Sequence, residues 1–503
     1  MKFLIKYHKW ISIVFAVFIL IFAISGIVLN HRKLFSSIDV SRRILPAEYE
    51  YNNWNNTSVK GTLKLNNDSV LIYGNIGIWL TDSSMQKFSD FNAGFKKGSD
   101  NHKICKLFKT QNNQLLAGTF FGLFRYNYSK KQWQYIEIPE KNSRITDILE
   151  VNTDILIQTR SALYRTNDLI TFNKIQIPEP ENYNNKIGLF KTLWVIHSGE
   201  IYGNIGKIIV DIVGLIFAFL TITGLIVFFN KIVLKKQNTT QNKRIKLIKS
   251  NLWNLKWHNK IGWTSLILLI ITTSTGIFLR PPFLIPIANI QVKKIPFSEL
   301  DTPNPWFDKL RRIIYDEQNK TYILATLDGV FYTSDHFKTK LKKFETQPPM
   351  SVMGVNVFEK TDLNSYLIGS FEGLFLWNTK ENLITNYITK EKYINVEKRG
   401  APIGQFIITG IARDTANQII YFDYNNGASY IESNKIFTKM PQNIANQPIS
   451  LWNLALEIHT GRIFQFIIGD FYILVVPIVG LAILFILISG FIVWYKKYKI
   501  KKK

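Results

Sequence analysis

A single cysteine, Cys105, occurs in 503 residues, so the chain can form no internal disulfide, no Cys-x-x-Cys zinc site, no four-cysteine cluster and no Cys-x-x-Cys-His haem attachment. Acidic residues are also scarce: 36 Asp and Glu stand against 62 Lys and Arg, a formal charge of +26. The sequence has no dinucleotide fingerprint in a strand-to-helix context, no P-loop, no Gly-x-Ser-x-Gly elbow and no His-Glu-x-x-His helix. Any redox cofactor must be held by something other than cysteine, and its reductant must come from elsewhere.

What is abundant is apolar sequence, in four long runs at roughly 10–29, 205–229, 261–279 and 471–494. At 1.5 Å rise per residue each is long enough to cross about 30 Å of hydrocarbon as a helix. The positive charge could suggest nucleic acid, but the lysines gather at the ends of these runs. Lys2, Lys6 and Lys9 precede the first, a dense basic series from Lys231 to Lys260 lies between the second and third, and Lys496, Lys497 and Lys499 follow the fourth. The positive-inside rule then places both termini and the central loop in the cytoplasm, with 30–204 and 280–470 across a bacterial-type inner membrane. Ala23-Ile24-Ser25 could pass as a signal cleavage site. Against that, the run before it is long for a signal, and a near-copy recurs mid-chain at 256–279, where no signal can be.

That copy is part of a duplication. Lys6-Tyr7-His8-Lys9 opens a segment ending Ser25-Gly26, and Lys256-Trp257-His258-Asn259 opens one ending Thr275-Gly276, at an offset of 250 without a gap. The second and fourth runs match likewise: Ile196-His197-Ser198-Gly199 leads to Gly214 and Thr223-Gly224, and Ile458-His459-Thr460-Gly461 leads to Gly480 and Ser489-Gly490. His-to-glycine spacing is 17 residues in one copy and 21 in the other, a difference of about one helical turn. Parallel repeats of this kind pack about an axis along the membrane normal, and the matched small residues would let helices approach closely.

The segments between the spans carry a shorter repeat. Residues 114–124 around Gly122 resemble 366–375 around Gly373, with weaker copies at Gly77, Ala162, Gly329 and Gly427. Apolar–polar alternation around a glycine turn makes a hairpin, and a period of about 40–50 residues is that of a propeller blade. Three blades from each segment would close one six-bladed β-propeller; two separate sheet domains are the alternative. The expected fold is a membrane protein of four transmembrane helices in two duplicated units plus an external all-β domain. In chain order this gives a first span at 1–32, β repeats at 61–180, a second span at 193–231, a basic cytoplasmic loop at 232–256 and a third span at 257–280. Further β repeats follow at 311–441, then a fourth span at 453–496 and a basic tail at 497–503.

Four of the seven histidines occupy matched positions: His8 and His258 at one end of the first and third spans, His197 and His459 before the second and fourth. Facing pairs could supply two axial imidazoles to a haem iron, a ligation that needs no cysteine. Histidines at span ends also serve as interfacial polar residues, and a duplicated gene would copy a structural histidine too. His31 competes for the outer site but faces Pro281 in the second unit and so has no symmetric partner. His102 and His336 lie in the β segments and read as surface residues. Asp211 lies at membrane depth, with Lys207 four residues earlier on the same helix face as its expected ion-pair partner.

At His8-Lys9-Trp10, Ser25-Gly26, Ile196-His197-Ser198-Gly199 and Ile458-His459-Thr460-Gly461 the chain resembles the PepSY-associated transmembrane family; in the third span the order is Trp257-His258-Asn259. The resemblance covers the spans and implies b-type haem, two per chain, with His8, His258, His197 and His459 as iron ligands. It also implies kinship with inner-membrane ferric-siderophore reductases. The glycine-turn repeats depart from that family's small α/β domains, where an external substrate would dock. Two functions follow. One is a haem oxidoreductase passing electrons outward from an unknown donor to a ferric siderophore or other iron chelate. The other is a haem-free, lipid-embedded receptor or scaffold whose propeller binds an envelope ligand or protein.

Overall fold

Period-3.6 apolar runs become helices and alternating runs become antiparallel hairpins, and the two kinds of element sort into separate units of the computed structural model. The structure describes residues 1–140, 144–236, 240–351, 354–394, 404–414 and 417–499. Of the predicted segments, parts of the first β region (141–143), of the basic loop (237–239), of the second β region (352–353, 395–403, 415–416) and of the basic tail (500–503) lie outside them. One unit is mainly helical and comprises 1–35, 185–301 and 451–503; the other is mainly β and comprises 36–184 and 302–450.

The helical unit contains α1 (Lys2–Asn30), α2 (Leu189–Ser198), α3 (Gly203–Leu234), α4 (Gln241–Thr264), α5 (Leu266–Phe278), α6 (Leu451–His459) and α7 (Val475–Trp494). Three stretches, Lys2–Asn30, Glu200–Leu234 and Arg462–Lys497, are long and apolar enough to cross a membrane. Exposed apolar side chains such as Val14, Val17, Ile205, Leu215, Ile478 and Leu481 give these helices a lipid-compatible surface. The third expected span is different: α4 and α5 meet at Ser265 with a 67° bend and count as a fourth span only if taken together. The stretch expected as a basic loop at 232–256 is helical where α3 and α4 cover it. Lysines and asparagines make α4 amphiphilic rather than apolar, so the more apolar part left for α5 is 13 residues long, four of them Ser or Thr.

The second and fourth spans share a local break. Gly199 and Gly461 both take φ +77°, a left-handed turn two residues after each histidine, where α2 and α6 end. A Cβ on Gly199 would meet the Gly206 carbonyl oxygen at 2.2 Å, so only glycine fits. The spacing difference between the copies is one extra turn, Gln465–Ile468, inserted before Gly469.

Besides one two-stranded pair, the β unit holds six larger antiparallel sheets among the described residues, three from each chain segment, five of them four-stranded and one, the last, three-stranded. Their first strands are Gly61–Lys64, Ile104–Lys109, Ile145–Val151, Leu310–Asp316, Val355–Asp362 and Ile408–Arg413. Each glycine-centred repeat of the sequence marks the start of a third strand, as at Gly77–Asp82, Gly122–Asn127 and Gly373–Asn378. Side chains tie each sheet to the next: Lys109 Nζ to Leu65 O at 2.7 Å, Gln111 N to Glu150 Oε2 at 2.8 Å and Ile313 N to Asp147 Oδ2 at 3.1 Å. The series continues with Arg312 Nε to Val355 O at 3.2 Å, Asn356 Nδ2 to Ile408 O at 2.8 Å and Thr409 Oγ1 back to Val59 O at 3.2 Å. Residues before the first sheet complete the sixth, where Asn56 N donates to Tyr424 O and Ala428 N to Asn53 O, both at 2.8 Å. Buried Trp54 packs there against Phe437. The strands Asp39–Val40 and Ile449–Ser450 pair where the chain enters and leaves the unit.

Candidate functional site

Each of the four matched histidines docks on the Ser/Thr-Gly motif of the other repeat. His8, on α1, places Nδ1 3.1 Å from both Ile486 O and Ser489 Oγ on α7. His258, on α4, places Nδ1 3.0 Å from Thr223 Oγ1 on α3, beside the Leu220 carbonyl. His197, the penultimate residue of α2, reaches Thr272 O at 2.9 Å and Thr275 Oγ1 at 3.5 Å on α5. His459, at the end of α6, reaches Phe22 O at 3.1 Å and Ser25 Oγ at 3.0 Å on α1. In every case the carbonyl belongs to the residue three before the hydroxyl, and the hydroxyl itself donates back to that carbonyl, as Ser489 Oγ does to Ile486 O at 3.1 Å.

The glycines explain how the rings fit. A Cβ would lie 2.7 Å from His197 Cε1 at Gly276, 2.9 Å from His8 Cε1 at Gly490, 3.2 Å from His459 Cε1 at Gly26 and 3.6 Å from His258 Cε1 at Gly224. An imidazole can lie flat on a helix only where that helix has no side chain. The duplication carries four matched histidines and four Ser/Thr-Gly motifs inside the apolar runs, and the equality of these numbers was the signal that would have paired them; read separately, the motifs suggest only close helix approach.

The hydrogen bonds fix the tautomer. A carbonyl oxygen can only accept, so each Nδ1 facing one carries the proton, and in a neutral ring Nε2 then keeps its lone pair. None of the four Nε2 atoms has a hydrogen-bond partner among the described residues. The rings come in two pairs: His197 and His459 have ring centres 5.9 Å apart, and His8 and His258 are near enough for their charges to interact. Two imidazoles sharing one metal ion in line, with metal–nitrogen bonds of about 2 Å, place their ring centres about 6 Å apart. The spacing of the His197–His459 pair therefore fits a bis-imidazole metal centre, anchored as metal-bound histidines usually are by a carbonyl on the far nitrogen. Along α1 the pairs are separated by the 17 residues from His8 to Ser25, or about 25 Å. No group of three or more His, Cys, Asp or Glu able to hold a metal ion occurs among the described residues, so the site is one of pairs.

The remaining sequence candidates separate from these pairs. His31 does not join the outer pair: its Nε2 lies 2.6 Å from Asp211 Oδ2, and Asn30 Nδ2 donates to the same carboxylate at 2.9 Å. The expected Lys207–Asp211 ion pair is absent, because Lys207 pairs instead with Glu200, seven residues earlier, at 3.2 Å. His336 is exposed, as expected, whereas His102 is half-buried against Phe95. One polar neighbour of the outer pair gave no sequence signal: Arg280, whose Nη2 donates to Thr460 O at 2.6 Å.

A model of the PepSY-associated TM region matches residues 1–231 and 174–497. No curated protein matches the chain. Among solved structures, the extracellular domain assigned to a hybrid two-component system of B. thetaiotaomicron is similar at 14% identity over 75% of this chain and 39% of that one, with a TM-score of 0.34. A second such domain from the same organism gives 10% identity over 80% and 38%, with a TM-score of 0.37. The chain thus spans about two fifths of the length of these structures. A computationally designed protein, Ika8, gives 7% identity over 76% of this chain and 99% of that one, with a TM-score of 0.31.

Proposed function

The chain belongs to the PepSY-associated TM family, and from that premise we propose that it is a haem-binding inner-membrane oxidoreductase which passes electrons across the bilayer to an acceptor on the β-rich side. His8 with His258, and His197 with His459, would each hold one b-type haem. What carries the reading is that all four imidazoles are anchored through Nδ1 in two pairs, with Nε2 left over. Held by two such imidazoles, a haem would supply single-electron transfer and offer no open position for oxygen chemistry.

The chain's own contribution is orientation and spacing. The carbonyls at Phe22, Thr272 and Ile486 hold the ring protons on Nδ1, and the glycines hold the rings against the helices. Two pairs about 25 Å apart along α1 would put one near each face of a bilayer of about 30 Å. The lysine distribution assigns the His8–His258 end, both termini and the central basic stretch to the cytoplasm. The β unit is then periplasmic, and its six mutually tied sheets read as the blades of one closed propeller. A ferric siderophore or similar iron chelate is the acceptor class that the family suggests.

The absorption spectrum of detergent-purified protein tests the proposal. Reduction is expected to give sharp α and β bands and two haems per chain. His8→Ala or His258→Ala should remove one haem and His197→Ala or His459→Ala the other, whereas His31→Ala should remove neither. A wild-type protein without haem after haem-replete expression would replace this reading with that of a membrane-anchored receptor. Cysteines introduced near positions 130 and 380 should both label from outside; protection of either would sink the topology.

A further inference from the structure

Arg280 lies two residues beyond α5, and its guanidinium makes one hydrogen bond among the described residues, from Nη2 to the carbonyl of Thr460, the residue after His459. Its Nε is buried without a partner among the described residues, and it forms no ion pair there. The carboxylate that bears on it, Glu457, pairs with Arg462. A guanidinium with a buried, unmatched donor is costly unless an anion meets it. The duplication, which equalises the imidazoles, does not equalise these charges. The counterpart of Arg280 at the 250-residue offset is the neutral Asn30, bonded to Asp211, and the counterpart of Arg462 beside the His-[Ser/Thr]-Gly motif is Glu200. The second repeat thus brings a cationic flank to the His197–His459 pair, and the first repeat does not.

Resting on the haem reading, we propose that Arg280 binds an ionised carboxylate of the porphyrin held by His197 and His459. A planar guanidinium matches a carboxylate through parallel N–H donors, and at Arg280 the Nε donor has no hydrogen-bond partner among the described residues. A fixed positive charge beside the outer centre also favours its reduced form, so the outer haem would have the higher potential of the two. Arg280 is a binding residue on this account, with no part in proton transfer.

The test uses the His8→Ala protein, which on that reading retains only the outer haem. Adding Arg280→Gln should weaken haem retention against a haem-scavenging protein about tenfold, the worth of one charge-assisted hydrogen bond. It should also lower the midpoint potential of the haem that remains. Arg280→Lys should restore most of the potential and part of the retention, with helix content by circular dichroism unchanged throughout. Unchanged retention and potential in Arg280→Gln would overturn the proposal, the unused donor then belonging to a lipid phosphate, and would leave the haem reading standing. A loss that Arg280→Lys does not restore would overturn it too, because charge would not be the cause. Haem-free protein before any substitution would overturn both.

Discussion

Both units of the molecule are assembled from two separated stretches of chain, and both join the halves with polar side chains that reach across, but they differ in what those side chains have left to offer. In the β unit one such crossing residue is Arg312 on the fourth sheet. It donates to Val355 O and Asn356 O of the fifth sheet, to Thr146 O of the third at 3.1 Å and to Cys105 O of the second at 3.4 Å. Asp147 stands 3.6 Å away as its counter-charge. Its donors are all spent on the fold. In the helical unit the crossing residues are four imidazoles, each using one nitrogen for the fold and keeping the other. A saturated crossing makes a scaffold, and an unsaturated one makes a site.

The largest test of that contrast is Arg312→Met, which should destabilise the β unit by about 4 kcal/mol, because four carbonyls and one carboxylate lose their donor in a buried place. Thermal unfolding of the purified chain measures it. A cost under about 1 kcal/mol would mean that the sheets hold together without the crossing arginine, and the contrast would collapse.

Next in size is Asp316, fully buried between the fourth and fifth sheets, where it accepts from Lys360 Nζ and Tyr366 Oη at 2.5 Å each and from Asn319 Nδ2 at 3.0 Å. Asp316→Ala should cost about 3 kcal/mol, since it strands the Lys360 ammonium. Burial pushes this carboxyl up, but the hydrogen bonds from Lys360, Tyr366 and Asn319 outweigh it and hold it below the usual carboxylate range. The folded state therefore binds this proton more weakly than the unfolded chain does. The stabilisation is complete above the unfolded value of about 4 and drains away as pH falls below it. Melting temperature against pH should show an acid limb that shrinks in Asp316→Ala; an unaltered limb would assign acid sensitivity elsewhere.

Within the helical unit the glycines predict a graded series. Gly276→Ala forces a Cβ to 2.7 Å from His197 and should cost about 2 kcal/mol, whereas Gly26→Ala, at 3.2 Å from His459, should cost less. Haem content should fall in the same order, because the ring that must move is the ring that ligates. Equal melting temperatures for the two variants would show that the two repeats grip their imidazoles alike.

Smallest is Gly224→Ala, where a Cβ would meet His258 at an ordinary 3.6 Å. Alanine is the better helix former by about 1 kcal/mol, so this variant should be neutral or slightly more stable with haem retained. Destabilisation here would place His258 closer to α3 than the other distances imply.

The period of the apolar residues, the offset of 250 and the His-[Ser/Thr]-Gly repeats were enough to establish two duplicated helical halves and six hairpin repeats, because each is a short-range pattern that backbone geometry reads directly. Gly77, Gly122 and Gly373 open third strands as their turns require. Three features depended on residues distant in sequence and so lay beyond pattern. Asp211 pairs with His31 rather than Lys207 because α1 packs against α3, and a carboxylate shielded there takes the partner that the neighbouring helix delivers. The third apolar run bends at Ser265, although the matching run in α1 is a continuous 29-residue helix with its histidine at the same spacing. The pairing of each histidine with the opposite repeat's Ser/Thr-Gly motif is a fact of helix packing: sequence counts the donors and acceptors, but only the assembled helices bring a given Nδ1 within hydrogen-bond distance of a given carbonyl and leave Nε2 without one.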